Sequence, residues 1–168
     1  LKKEYPVIVN DSLEADDSIG IFATKYPGHI IVSPDKDMRQ IPGDLFDLTN
    51  EVITITPEEG QRWHYIQTMS GDQTDGYSGI PGIGVKRAAA LLDKEGCTWD
   101  TVVKAYESKG LSEDDALLNA RLAKILQDEH YDSEQQRIIY WTPTDARNGN
   151  DNGAGLSAET AGGSAATS

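Results

Sequence analysis

Three sets of carboxylates stand out by their spacing: Glu14, Asp16 and Asp17 in L-E-A-D-D, Asp35 and Asp37 in S-P-D-K-D, and Asp72 and Asp75 in G-D-Q-T-D. At the start of a helix, Glu14 and Asp17 share a face with Asp16 beside them, so two or three carboxylates can converge on one point. Asp35 and Asp37 follow an apolar run, and loops at the carboxyl ends of strands in open α/β sheets are where ligands bind. Each set alone has a plain structural role, because acids in a first helical turn complement the helix dipole and aspartates cap loops. Together they are improbable as independent caps. Oxygen ligands without a Cys/His cluster suit Mg²⁺ or Mn²⁺ rather than Zn²⁺. Two such ions about 4 Å apart can activate a water and stabilise the leaving oxygen of a phosphodiester, with no nucleophilic side chain needed. That suits a chain with no Ser-His-Asp or Cys-His set, in which His29, His64 and His130 are scattered and read as structural or surface residues.

The third carboxylate set runs into Gly79-Ile80-Pro81-Gly82-Ile83-Gly84, followed by Val85-Lys86-Arg87 and an Ala/Leu-rich run. The reading is helix-hairpin-helix: one helix closes over residues 68–72, the glycines form the hairpin, and a second helix covers residues 85–94. Gly82 and Gly84 let the backbone approach an outside surface, and amide N–H groups at the next helix's N-terminus can face an anion. Phosphate is the natural ligand. Lys86 and Arg87 sit where the helix dipole does not favour cations, which suits a contact to something negative.

The elements that must hold these residues read as α/β. Residues 5–10 are β-branched and predict a strand, and a helix is expected from Leu13 to Pro27, capped by Asp11 or Ser12. Residues 29–33 predict a strand of the kind buried in a parallel sheet, with short strands at 45–48 and 52–55. Thr56-Pro57-Glu58-Glu59 opens a helix carrying Trp63, Ile66 and Met69 inward. Further helices are expected over 99–106 and from Ser112 through Leu126, and an extended segment over 138–141. Trp63, Trp99 and Trp141 lie on apolar patterns and read as core. The predicted divisions are 1–56, part of an α/β core; 57–143, a helical subdomain bearing the hairpin; and 144–168, a Gly/Ala/Ser-rich tail with too little apolar area to repay ordering.

The chain has 168 residues, a formal net charge of −13 and a single cysteine, Cys97. The length admits one domain with a real core. One cysteine leaves no disulfide partner and no thiolate metal site, and Cys97 reads as a small half-buried residue. No apolar run approaches membrane-spanning length and no secretory leader is evident, so the expected location is a cytoplasm. The acidity at first argues against nucleic acid, yet seven of the acids fall in the three sets and would be largely neutralised by bound metal.

These residues resemble the 5′→3′ exonuclease and flap endonuclease family, which includes the 5′-nuclease domain of DNA polymerase I and stand-alone bacteriophage exonucleases. The match runs in order over residues 5–106, through L-E-A-D-D (13–17), I-V-S-P-D-K-D-M-R-Q-I (31–41), I-T-P-E-E (55–59) and S-G-D-Q-T-D-G-Y-S-G-I-P-G-I-G-V-K-R-A (70–88). The resemblance implies a PIN-like nuclease core with a partial parallel sheet, and structure-dependent two-metal hydrolysis of DNA, or of RNA primers on DNA, in phage or bacterial replication and repair. It implies that Glu14, Asp16 and Asp17 contribute to a first metal site and that Asp35, Asp37, Asp72 and Asp75 hold a second. It also implies that Gly79, Ile80, Gly82, Ile83, Gly84, Val85, Lys86 and Arg87 grip duplex DNA bearing a 5′ end or flap, with K⁺ between hairpin carbonyls and phosphate. If phage-encoded, the enzyme would act in the host cytoplasm.

Members of that family carry a portion before the E-A-D-D motif with sheet strands, two more ligand aspartates and a basic arch, and the sequence starts a few residues ahead of that motif. The expectation is the C-terminal part of a nuclease, from a truncated sequence, a split gene or a processed product, weakly active or inactive alone and completed by a polypeptide supplying the rest. A non-catalytic helix-hairpin-helix DNA-binding module is the alternative, and an acidic interaction protein unrelated to DNA a third that leaves the hairpin unexplained.

Overall fold

The computed structural model describes residues 5–49 and 51–143. Among them are five α-helices, a three-stranded sheet and a two-stranded ribbon. Helix α1, Ala15–Lys25, leads into β1, Ile30–Val32; a 3-10 turn over Lys36–Gln40 precedes β2, Gly43–Phe46, and β3, Val52–Ile55. Strand β1 pairs parallel to β2, with Ile31 opposite Leu45, and β2 pairs antiparallel to β3, with Leu45 opposite Ile53. The α/β expectation therefore holds as a small, partly parallel sheet.

Four helices follow: α2, Pro57–Ser70; α3, Val85–Glu95; α4, Trp99–Glu107; and α5, Glu113–Ala123. Helix α2 opens as its residues predict. Pro57 stands in the first turn, where its missing N–H costs nothing, and Thr56 and Glu59 form a reciprocal capping box. Ser112 and Asp115 do the same for α5. Strands β4, Tyr131–Asp132, and β5, Arg137–Ile138, close the described chain.

Apolar side chains gather in two clusters. Ile31, Met38, Ile41, Leu45 and Ile55 pack with Ile125 beneath the sheet. The larger cluster lies among the helices and includes Tyr65, Ile66, Met69, Leu92, Val102, Tyr106 and Trp141. Trp99 and Trp141 are buried as expected, while Trp63 is only partly buried against this cluster.

Several local expectations change. Residues 6–10 pair with no strand among the described residues, and Val7, Ile8 and Val9 are exposed. Helix α1 begins later than expected, with Glu14 at its cap position and no side-chain cap bond. Its buried residues are Gly20 and Ile21, because a Cβ at Gly20 would collide with the Leu126 carbonyl and glycine alone permits that approach. Strand β1 is buried on one face only, leaving Ile30 and Val32 exposed. The strand expected at 45–48 lies two residues earlier, and Leu48 stands at φ 63 and exposed. Helix α5 stops at Ala123 rather than running through Leu126, because side chains elsewhere capture the next amides: Ile125 N–H donates to Gln40 Oε1 and Leu126 N–H to Asp17 Oδ1. Leu118 and Leu122, on α5 itself, face out. The tail expected at 144–168 lies outside the described residues.

Candidate metal centre and nucleic-acid interface

The 3-10 turn after β1 places the central carboxylate. Asp35 caps it by accepting the Asp37 N–H at 2.9 Å, while Met38, Gln40 and Ile41 on the far side are almost fully buried and fix the turn. Asp37 is thereby aimed into the protein, and its Oδ1 is buried with no hydrogen-bond partner. Burial, then the Asp35 charge, pushes the Asp37 carboxyl up to about 6, with Asp75 and Asp72 adding to the push and Lys36 opposing it.

Helix α2 delivers the second element. It ends at Gly71, whose φ of 68 admits the reversal into a tight turn closed by reciprocal backbone bonds between Asp72 and Tyr77 at 2.9 and 3.0 Å. Asp72 Oδ1 accepts the Thr74 N–H at 2.9 Å and Oδ2 lies 3.3 Å from Lys36 Nζ. Those contacts, the Thr74 N–H foremost, hold its carboxyl below the usual range. Asp75 occupies the tip of the turn. One oxygen each of Asp37, Asp72 and Asp75 lies within 4.8 Å of the others, a spacing compatible with one cation.

The first carboxylate set reaches the same region. Glu14, Asp16 and Asp17 line a cavity of about 510 Å³ together with Asp37 and Asp75. Burial, then the charges of Asp35, Glu14 and Asp75, raises the Asp16 carboxyl. Asp17 differs from its neighbours, since its Oδ1 accepts the Leu126 N–H at 2.9 Å and ties α1 to the end of α5. Burial still raises its carboxyl against that bond. Two residues of this region carried no role in the sequence reading. Lys36 stands between two candidate ligands, and Tyr77 is buried beside the carboxylates, where burial and then Asp37 push its phenol up. The position of Lys36 in D-K-D was the available signal; nothing in the sequence marked Tyr77.

The glycine segment continues from this turn. Gly79 packs so closely on Gly71 that a Cβ would strike its backbone, and its N–H donates to Asn119 Oδ1 at 2.9 Å. Ile80 and Ile83 are buried, so their side chains face the core and only their backbone can meet a ligand. Gly82 has φ 78, and a Cβ there or at Gly84 would meet nothing within the chain. Gly84 occupies the cap position of α3 with no side-chain cap bond. Val85, Lys86 and Arg87 are exposed, and Arg87 Nη1 donates to the Gly82 carbonyl at 3.1 Å, bracing the segment. Cys97 is half-buried and free, and burial raises its thiol. Among the described residues no helix is long and apolar enough to cross a membrane.

No protein-family model matches the chain. Among curated proteins it is 30% identical to an exodeoxyribonuclease of Enterobacteria phage T3, over 84% of this chain and 59% of that protein. It is 27% identical to an exonuclease of Escherichia phage T7, over 84% of this chain and 60% of that protein. It is 36% identical to a 5′-3′ exonuclease of Buchnera aphidicola subsp. Schizaphis graminum, over 49% of this chain and 33% of that protein. The chain thus spans somewhat over half the length of the phage relatives it matches.

Proposed function

With the chain a member of the 5′→3′ exonuclease family, we propose that it carries the main carboxylate centre of a structure-dependent 5′→3′ exonuclease or flap endonuclease. Its substrate is a DNA duplex with a 5′ end or flap, or an RNA primer on DNA, in phage or bacterial replication and repair. The observation that carries the reading is the convergence of Asp37, Asp72 and Asp75 within 4.8 Å, with the Asp37 Oδ1 buried and unpartnered. A buried carboxylate oxygen without a donor is costly unless a cation completes it. Hard oxygen donors spaced this way fit Mg²⁺ or Mn²⁺.

In this reading Asp37, Asp72 and Asp75 hold one ion, with Asp35 holding Asp37 in place through its backbone N–H. Asp16 and Glu14 contribute to a second across the cavity. Asp17 anchors the helix that presents them. Bound there, the ions would supply the Lewis acidity and positive field that phosphodiester hydrolysis requires. The segment from α2 through α3 acts as a helix-hairpin-helix: Gly82 and Gly84 admit the DNA backbone, α3 turns its first N–H groups toward phosphate, Lys86 adds charge, and the hairpin carbonyls would hold K⁺, which would add positive charge there. The proposed division is a nuclease core over 1–56 and a hairpin-bearing subdomain over 57–143.

The test is hydrolysis of a 5′-labelled flap duplex with Mg²⁺ or Mn²⁺, beside an Asp72→Asn/Asp75→Asn variant. Cleavage by the chain and not by the variant supports the reading. Metal-independent DNA binding with no cleavage, even after the portion of the phage relatives that this chain does not match is added, replaces it with a non-catalytic binding module.

A further inference from the structure

The cavity lined by Glu14, Asp16, Asp37 and Asp75 has another component, contributed from far along the chain by Arg121 and Tyr140. Their placement follows from Trp141. That residue is 6% exposed and packs edge-on against Trp99 and His64, with ring centroids 5.2 and 5.0 Å away. In extended chain the preceding side chain points the opposite way, so burying Trp141 drives Tyr140 outward, where it is 66% exposed. Arg121, in the last turn of α5, donates its Nε–H to the Trp141 carbonyl at 3.2 Å, which brings its guanidinium carbon 5.7 Å from the centre of the Tyr140 ring.

Arg121 makes no salt bridge with any carboxylate among the described residues, although the chain's formal net charge is −13. A cation left unneutralised beside an acidic cavity suits an anion that arrives from outside. An aromatic ring backed by a guanidinium and open to water is a stacking platform, and every nucleobase has a face to stack. Guanidinium N–H groups match phosphate oxygens in geometry and charge.

We propose that Arg121 and Tyr140 form a nucleotide subsite at the margin of the carboxylate cavity, Tyr140 stacking on an unpaired base and Arg121 holding the adjoining phosphate. The inference rests on the reading of the cavity as a nuclease site. It adds a place for the single-stranded part of the substrate, separate from the hairpin that meets the duplex.

The probe is a DNA duplex with a short 5′ flap carrying 2-aminopurine at the unpaired nucleotide next to the junction, titrated with the chain in Ca²⁺. Binding is expected to quench the 2-aminopurine. Tyr140→Ala abolishes the quench and weakens binding roughly tenfold, whereas Tyr140→Phe retains both. Arg121→Ala weakens binding and lowers the slope of log affinity against log salt by about one, with near-UV circular dichroism checking that the Trp141 packing survives. Tyr140→Ala binding and quenching as the unaltered chain does overturns the subsite and leaves the nuclease reading standing. Failure of the unaltered chain to bind the duplex at all overturns both.

Discussion

Lys36 extends its ammonium to 3.3 Å from Asp72 Oδ2, so the carboxylate centre carries a cation of its own. The pair is partly exposed, with Lys36 open to solvent, and such pairs are worth about 0–1 kcal/mol. In the proposed site Lys36 would therefore compete weakly with a metal ion for Asp72. Lys36→Met should tighten Mn²⁺ binding by about two- to fivefold in calorimetric titration. Weaker binding in this variant would mean that Lys36 supports the site rather than competing for it.

Asp37 should make metal-free stability fall as pH rises. Its carboxyl, pushed up to about 6, binds its proton more tightly folded than unfolded, where an ordinary carboxyl titrates near 3.8. Between those values the folded state holds the extra proton, and stability declines with rising pH across that window. Asp37→Asn should raise the Tm in EDTA at pH 7 by a few degrees and change it little at pH 4. A lower Tm at pH 7 would count against the strained carboxylate.

His64 should act with the opposite sign. It is fully buried, its Nε2 lies 2.8 Å from the Ala120 carbonyl, and burial lowers its pKa from 6.5 to about 3. The unfolded chain takes up the proton first as pH falls, so this contribution is complete above about 6.5 and is lost toward 3. His64→Gln keeps an N–H for Ala120 and removes the titration. Its stability should vary less between pH 6.5 and 4, as followed by urea unfolding, even where its packing costs about 1–2 kcal/mol overall.

Gly82→Ala and Gly84→Ala separate folding from binding. Gly82 has φ 78 and alanine there should cost about 1–2 kcal/mol, whereas Gly84 has φ −96 and open space around it. Gly84→Ala, a less favourable cap, should lower the Tm by no more than a few degrees while weakening duplex DNA binding by roughly tenfold if one close backbone–phosphate contact is lost. Unaltered binding by this variant in an anisotropy titration would remove the hairpin from the interface.

Asp16 and Asp17 are neighbours with separable duties. Asp17→Ala leaves the Leu126 N–H without its partner at 2.9 Å and should destabilise the chain by about 1–3 kcal/mol. Asp16→Asn relieves a raised carboxyl, so it should not lower the Tm while it weakens Mn²⁺ binding in calorimetric titration. Equal stability losses in the two variants would contradict this division.

The starts of α2 and α5 were legible because their caps are local: Thr56 and Glu59, like Ser112 and Asp115, sit within four positions and satisfy one another's groups, whereas α1 lacks such a box and starts later than its apolar spacing suggests. Short spacing did not bring the carboxylates together: Asp37 meets Asp72 and Asp75 across the fold while Asp35 turns to the Asp37 N–H. The D-x-D and D-x-x-D spacings and the glycine segment were nevertheless legible as local patterns. The end of α5 was not, because Gln40 and Asp17 supply the acceptors that stop it, and both lie more than eighty residues away. Nor was the exposure of Ile30 and Val32, which depends on what covers a sheet face rather than on the strand's own apolar run.

The sequence by itself therefore determined where acidic and glycine-rich patterns suited to a cation or a phosphate fall along the chain. Only the tertiary structure decided which of their atoms are free to do so. Asp17 and Asp37 both belong to short acidic motifs, yet Leu126, 109 positions away, takes an oxygen of the first, while one oxygen of the second is buried without a partner. Desolvation and the arrival of a distant donor set that difference, and neither is written in local spacing.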